Sequence, residues 1–537
     1  MIHTLLLATQ VLHAPHVDYV AILPELILTG GALLLMLGSS LSASRPAPGA
    51  WAGFTATVAA ASIGASWYLW DQVSHHGPQE TIHNAVAVDG FSTLFLILIG
   101  VALLLGSLVA DGYLRREGLN GPEFYVLAML SGAGGMFMSV ANDLIVVFLG
   151  LETLSIALYV LAGYHSRRRE SSEAAIKYFV LGAFSSAIFL YGVALVYGAT
   201  GSTNLVSIAT YLSQNVIVTN GILLAGIAML IVGLGFKVAA VPFHNWSPDV
   251  YQGSPTPVTG YMAAVAKAAG FAGLLRVLFS AFGSMRTDWQ PVIIVLAALT
   301  LVVGAVGAMV QTDVKRLLAY SSINHAGFVL VGLAAATTAG ISGSLYYLFT
   351  YTFVVIGSFG VVSVVGRQGD GHHQLEDYRG LSRRNPFLAA VFSLLLLAQS
   401  GVPFTTGFLA KFYVISSAVQ ARSYPLAILS ILTAVVGAYY YLRLIFIMYS
   451  SPAGEAEAVA VELMITDVAV STSSGTTLVE DVEEVVVLAE TDAGPPELEV
   501  PTSTALVLTL TCLFTVAFGL VPGTIVNFAH QATLLVH

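Results

Sequence analysis

The chain has 537 residues, of which 56% are hydrophobic and 9% charged, with a mean hydropathy of +0.83; soluble domains carry about 25% charged residues, so this composition excludes one. The formal charge of −10, without an arginine-rich stripe between aromatics, argues against nucleic acid as a partner. A single cysteine, Cys512, excludes a disulfide and any cysteine-ligated zinc or iron–sulfur centre, which need several thiolates.

A membrane span takes about 20 mainly apolar residues. Apolar runs between polar breaks predict about fourteen transmembrane helices, at 19–39, 51–70, 88–110, 122–140, 142–164, 174–199, 222–252, 255–282, 290–311, 316–337, 343–366, 387–420, 424–449 and 503–530. The runs are continuously apolar where a membrane barrel would alternate with period two, so the fold class is an all-α polytopic membrane protein. The N-terminal MIHTLLLATQVLHAPHVDY lacks the basic leader of a cleaved signal peptide.

Basic residues set orientation. Loops after odd-numbered spans hold Arg45, Arg115, Arg116, Arg167, Arg168, Arg169, Lys315, Arg316, Arg367, Arg379, Arg383 and Arg384, whereas loops after even-numbered spans hold only Arg286 and Arg422. This partition predicts fourteen spans with both termini on the outer face. Residues 452–501 are acidic and contain no Lys or Arg; they read as a solvated cytoplasmic loop, or as a hairpin in which VELMITDVAV and VEEVVVLAE flank STSSG. Replacing residues 455–498 by a short Gly/Ser linker is expected to leave the function of the helical bundle near wild type.

One tripeptide recurs inside the predicted helices, Val241-Pro242-Phe243 and Val402-Pro403-Phe404. Each proline removes a backbone donor and breaks its helix. Lys237 precedes the first break and Lys411 follows the second. Paired interrupted helices point to an ion path between two repeats. Each break falls in the fourth helix of a five-helix block, and the blocks start on opposite sides of the membrane, which gives two inverted repeats. The predicted organisation is an N-terminal three-helix segment (1–121), a first five-helix repeat (122–282), a second (290–450), an acidic cytoplasmic insert (451–502) and a C-terminal helix (503–537).

Charges in hydrocarbon cost about 2.5–3.5 kcal/mol each on insertion scales, so each needs a reason. Glu152, Lys237, Lys267 and Lys411 all fall within predicted spans. A Glu–Lys pair that can separate has a switchable proton affinity; the alternative, fixed ion pairs that hold helices together, cannot neutralise three lysines with one glutamate. His325 and His244 are relay candidates near neutral pH, or else hydrogen-bonded packing residues. Lys177 stands one turn from Glu173, as a channel residue or as an interfacial pair. Glu25 reads as a packing or interface residue, and His372 and His373 as solvated. No Walker loop, no glycine-rich dinucleotide fingerprint and no metal-spaced His/Cys cluster occurs, so neither a cofactor site nor a metal site is expected and passage of protons or cations remains.

The segments FLGLETLSIALYVLAGY, FKVAAVPFHNWSPDVYQGSPTPVTGYMAAVAKAAGF, DVKRLLAYSSINHAGF and GVPFTTGFLAKFYV closely resemble the antiporter-like subunits of respiratory complex I, and most closely the subunit N family of NADH-quinone oxidoreductase. The resemblance implies a proton-translocating translocase subunit in a bacterial inner membrane. Glu152 and Lys237 would form a coupling ion pair, Lys267 a central relay and Lys411 a terminal proton site. Subunit M typically has glutamate at the position of Lys411, and subunit L continues into a lateral helix for which this chain has no room. NADH, FMN, iron–sulfur clusters and quinone would be held by partner subunits, with subunit M on one side, the small subunits A, J and K on the other, and lipid around them. The kinship also includes multi-subunit cation/proton antiporters, whose subunit is the alternative reading. The acidic insert departs from the family, where a short connection is expected.

Overall fold

The computed structural model describes residues 17–41, 47–215, 220–451 and 498–532. Most of the acidic insert, with its expected hairpin, lies outside the described residues. The N-terminal helices are α1 (Leu23–Leu41), α2 (Ala50–His76) and α3 (Gly90–Arg116), followed by α4 (Pro122–Val140), α5 (Leu144–Ala162), α6 (Arg169–Thr200), α7 (Leu205–Gln214), α8 (Gly221–Lys237), α9 (Trp246–Gly253) and α10 (Thr256–Arg276). After a π-helical turn at Val277–Ala281 come α11 (Arg286–Met309), α12 (Val314–Ala335), α13 (Thr338–Val365), α14 (Leu381–Arg384), α15 (Pro386–Ser400), α16 (Thr406–Gln420), α17 (Tyr424–Tyr449), α18 (Thr502–Leu520) and α19 (Gly523–Gln531). Eleven helical segments among the described residues are long and apolar enough to cross a membrane, and α8 and α15 are apolar but shorter.

Three acidic caps start the helices that matter most for the interior. Asp89 closes a capping box with Ser92 at α3, Asp143 accepts the Ile145 N–H at 2.8 Å, and Asp313 accepts the Arg316 N–H at 2.9 Å. Each occupies one of the free donors that a helix start leaves. α10 and α12 are buried over nearly their whole length, so the polar residues Lys267, Lys315 and His325 that they carry are enclosed by neighbouring helices. At its far end α10 is pinned to α3, where Arg276 donates to both oxygens of Asp89 at 2.9 and 2.8 Å.

Both predicted proline breaks are present, and side chains satisfy the backbone that they free. α8 stops at Lys237, residues 238–245 turn through Ala239 at φ 58°, and α9 resumes at Trp246. Inside the turn the Val241 N–H donates to Thr300 Oγ1 of α11 at 2.9 Å, and the Trp246 indole donates to the Phe236 carbonyl at 2.9 Å. Non-helical backbone at membrane depth requires such partners. Thr300→Val should therefore leave a buried N–H unsatisfied and cost about 1–3 kcal/mol, read as a lower unfolding temperature of the purified protein. In the second break Gly401 adopts φ 90° and Phe404 φ 68° between α15 and α16.

The structure departs from the sequence reading at several points. A short antiparallel hairpin, β1 (Gln79–Thr81) with β2 (Val86–Val88), fills the loop before α3, its strands too short to register as periodicity. The last predicted span divides at Val521–Pro522 into α18 and α19, because proline cannot continue the ladder. Lys315, assigned from sequence to a loop, is 0% exposed in the first turn of α12. Leu498 is buried, and its carbonyl accepts from Asn385 at 3.1 Å, so the linker replacement proposed above must stop short of it.

Candidate functional site

Lys237, the last residue of α8, is buried, and its stem packs beside Gly270 of α10. Its ammonium donates to Ser155 Oγ at 2.8 Å and to Tyr178 OH at 3.3 Å, and lies 5.6 Å from the Tyr178 ring centroid. The Tyr178 ring stacks on Trp246, with centroids 4.6 Å apart. Glu152 was expected to meet this lysine, yet no ion pair joins them within 4.0 Å. α5 turns Ser155 toward α8 instead. Glu152, one turn earlier, is half-buried beside the exposed Leu149 and Ile156, with its Oε1 enclosed and without a partner among the described residues.

Lys267 on α10 is buried, with its ammonium on the carbonyl and hydroxyl of Ser322 and 5.6 Å from the Tyr351 ring centroid. Tyr351 OH donates to the same Ser322 hydroxyl at 2.8 Å. His325, one turn along α12, meets Tyr347 OH at 2.6 Å and Tyr441 OH at 3.0 Å. Tyr441 OH also contacts Ser321 and reaches Gln399 Oε1 at 3.3 Å. The neighbouring Ser400 gives its carbonyl to the Lys411 ammonium at 2.8 Å, and that ammonium lies 5.0 Å from the Phe328 ring centroid. A cavity of about 20 Å³ among His325, Tyr351, Gln399 and Ala410 has room for about one water.

The three lysines share one kind of environment: neutral oxygens and an aromatic face, with no carboxylate within 4.0 Å among the described residues. Ring faces and oxygen dipoles hold a cation without an opposite charge. Removing a proton from such a lysine leaves no carboxylate stranded, so exchange avoids the penalty of breaking a buried ion pair. Hydroxyls, phenols and an imidazole between Lys267 and Lys411 can each both donate and accept, which is what stepwise proton transfer needs.

The remaining candidates are placed differently. Lys177 is partly exposed and paired with Glu173 at 2.7 Å and Asp249 at 2.9 Å, the arrangement of an interfacial pair, and Asp249 also accepts from Arg316 at 2.7 Å. His244 sits in the first break, half-buried, with Nδ1 enclosed and without a partner among the described residues. Glu25 is 0% exposed, with both oxygens unpartnered among the described residues, so it is not a surface residue of this chain. His372 is exposed as expected, but His373 is buried against Asp370 at 2.9 Å.

Asp370 is the residue that sequence reading missed. It lies in the loop after α13, 0% exposed, beside a cavity of about 640 Å³ that also reaches Lys177 and Asp249. Its Oδ2 accepts from Arg168 at 2.9 Å, from the Thr256 N–H at 3.2 Å, from Tyr113 OH at 3.3 Å and from Lys315 at 3.4 Å; its Oδ1 accepts from Thr256 Oγ1 at 2.7 Å and from His373 Nε2. Burial alone would raise this carboxyl, but Lys315, His373 and Arg168 outweigh it and hold the group well below the usual carboxylate range. The only sequence signal is an acid between two glycines, Gly369-Asp370-Gly371, in a loop of basic residues.

Residues 141–437 match the sequence model of the family described as NADH:quinone oxidoreductase/Mrp antiporter, TM. Subunit N of the NADH-quinone oxidoreductase of Trichlorobacter lovleyi is 45% identical over 69% of this chain and 76% of its own length. That of Acidothermus cellulolyticus is 45% identical over 83% and 90%. The chain belongs to the NADH-quinone oxidoreductase subunit N family. Among solved structures, a chain of respiratory complex I from Thermus thermophilus with bound aureothin is 31% identical, with a TM-score of 0.71 over 94% of this chain and 98% of that one. The chain is thus an antiporter-like membrane subunit of complex I, and its partners are other subunits of that complex.

Proposed function

We propose that this chain translocates protons across a bacterial inner membrane, coupled to electron transfer from NADH to quinone elsewhere in the complex. The observation that carries the reading is a buried set of polar groups between Lys267 and Lys411. Hydrogen bonds join Lys267, Ser322 and Tyr351, others join His325, Tyr441 and Gln399, and the Tyr351 and His325 ring centroids lie 5.0 Å apart between the two sets. Lys411 bonds the Ser400 carbonyl next to Gln399, Lys237 packs against α10, and none of the three lysines is ion-paired among the described residues. Glu152 acts on Lys237 through its field rather than by contact. Its place on a partly exposed apolar face fits an adjoining subunit that changes this field as the complex turns over. Small subunits A, J and K would adjoin that side, and subunit M the other. NADH, FMN, iron–sulfur clusters and quinone would belong to partner subunits.

Two inverted five-helix repeats within fourteen spans are supported by correspondences at one constant residue offset. The caps Asp143 and Asp313, the close-packing glycines Gly134 and Gly304, and the bridges Asp143 to Asn204 and Asp313 to Gln374 all repeat at it. The first bridge lies near the β-hairpin, where the Asn142 N–H meets the Ala85 carbonyl. The second lies on the opposite, arginine-rich face. Under the same offset Glu152 corresponds to Ser322, the partner of Lys267.

The arginine-rich face would be cytoplasmic and both termini external. Reporter fusions at 115–120 and 376–384 should score as cytoplasmic, and fusions at 75–85 and the C-terminus as external. An internal C-terminus would overturn the orientation. The second reading, a subunit of a multi-subunit cation/proton antiporter, is favoured by the family description, which covers both assemblies. Purification from native membranes separates them: flavin- and iron–sulfur-bearing subunits should copurify with this chain, and a complex free of both would favour the antiporter.

A further inference from the structure

We infer that Asp370 is a positioning residue that fixes α10 against α12 at the arginine-rich face, so that Lys267 meets Ser322 deeper in the bundle. This inference rests on the relay reading of Lys267. α10 begins without a side-chain cap of its own, since Pro255 precedes it, and its first residue, Thr256, gives both its N–H and its hydroxyl to Asp370. A carboxylate at a helix start satisfies a free donor and complements the positive end of the helix. α12 is hooked to the same place by Lys315, its second residue, which reaches both Asp370 and the Ser254 carbonyl at 2.6 Å. One carboxylate thereby holds the starts of the two helices whose later residues form the Lys267–Ser322 contact.

The lengths agree with this assignment. At 1.5 Å per residue Lys267 stands about 16 Å along α10 from Thr256, and Ser322 about 10 Å along α12 from Lys315. Helical side chains lean toward the N-terminus of their helix, and a lysine of roughly 6 Å reach leaning that way covers the difference. Relative depth of the two helices therefore decides whether the ammonium finds both Ser322 oxygens, and displacements of about 1 Å are enough to lower proton-transfer rates. Arg168 and Tyr113 add the starts of α6 and the end of α3 to the same carboxylate, which leaves the clamp little freedom to slide.

The test uses the assembled complex in proteoliposomes, with protons translocated per electron measured for Asp370→Asn, Thr256→Val, Thr256→Ser and Lys267→Met. Asp370→Asn should lower the ratio, and Thr256→Val should lower it in the same direction at wild-type assembly, because Thr256→Val removes one hook and leaves the charge cluster intact. Thr256→Ser keeps the hydroxyl and should pump as wild type. A wild-type ratio in Thr256→Val overturns the inference whether or not Asp370→Asn assembles, since Asp370 would then serve only to neutralise Lys315 and Arg168. A wild-type ratio in assembled Asp370→Asn overturns it equally. Lys267→Met separates the two levels: normal pumping there refutes the relay reading itself, whereas impaired pumping there with normal Thr256→Val refutes the positioning role alone.

Discussion

Lys237→Ala should assemble into the complex and lose proton transfer through this chain by about 10²-fold, the contribution expected of a positioned proton donor and acceptor. The ammonium rests on Ser155 and Tyr178, both neutral, so its removal breaks no contact ion pair, and the complex should remain intact. Lys237→Arg should fail as well, because a guanidinium stays protonated and cannot release its proton. Glu152→Ala should give a smaller loss, since the carboxylate is not in contact with the lysine. Proton uptake measured against NADH oxidation in inverted vesicles decides the matter. A fully assembled Lys237→Ala complex with the wild-type ratio would refute the coupling role.

Lys411→Met should give a loss of similar size at the other end of the line. Methionine keeps an unbranched apolar stem beside Gly401 and Phe328, so packing changes little, while the ammonium at the Ser400 carbonyl disappears. The end of α15 also leaves the Ser400 carbonyl without a helical donor, and Lys411 is the group that satisfies it. Some destabilisation of about 1 kcal/mol should accompany the loss of pumping. Tyr441→Phe tests the middle of the same line, removing one phenol that joins His325 to Gln399. Pumping unaffected by Lys411→Met would mean that protons leave the line before α16.

The parts of this site that sequence revealed are those that violate the rules of a membrane interior. Lys237, Lys267, Lys411 and Glu152 stood out because a charge inside an apolar run is costly, and the two prolines because they cannot continue a helix. What escaped depended on contacts between distant segments. Ser155 rather than Glu152 receives Lys237 because the two positions lie one turn apart along α5, and which of them is level with Lys237 is set by how α5 packs against α8. Lys315 looked like a loop cation because it stands at a helix start, where hydropathy falls for exposed and buried residues alike. Asp370 draws on Tyr113, Arg168, Thr256 and Lys315, four partners that only the folded chain brings together. The orientation bias survives the burial of Lys315, because the remaining arginines still collect on one face.

The central claim is that the three buried lysines form the route by which this chain moves protons. It is tested most directly by the ratio of protons translocated to electrons transferred in proteoliposomes of the purified complex carrying Lys237→Met, Lys267→Met and Lys411→Met together. The account predicts a complex that contains all its subunits and reduces quinone, but with a lower ratio than wild type by the share that this chain contributes. A triple variant that assembles fully and keeps the wild-type ratio would contradict it.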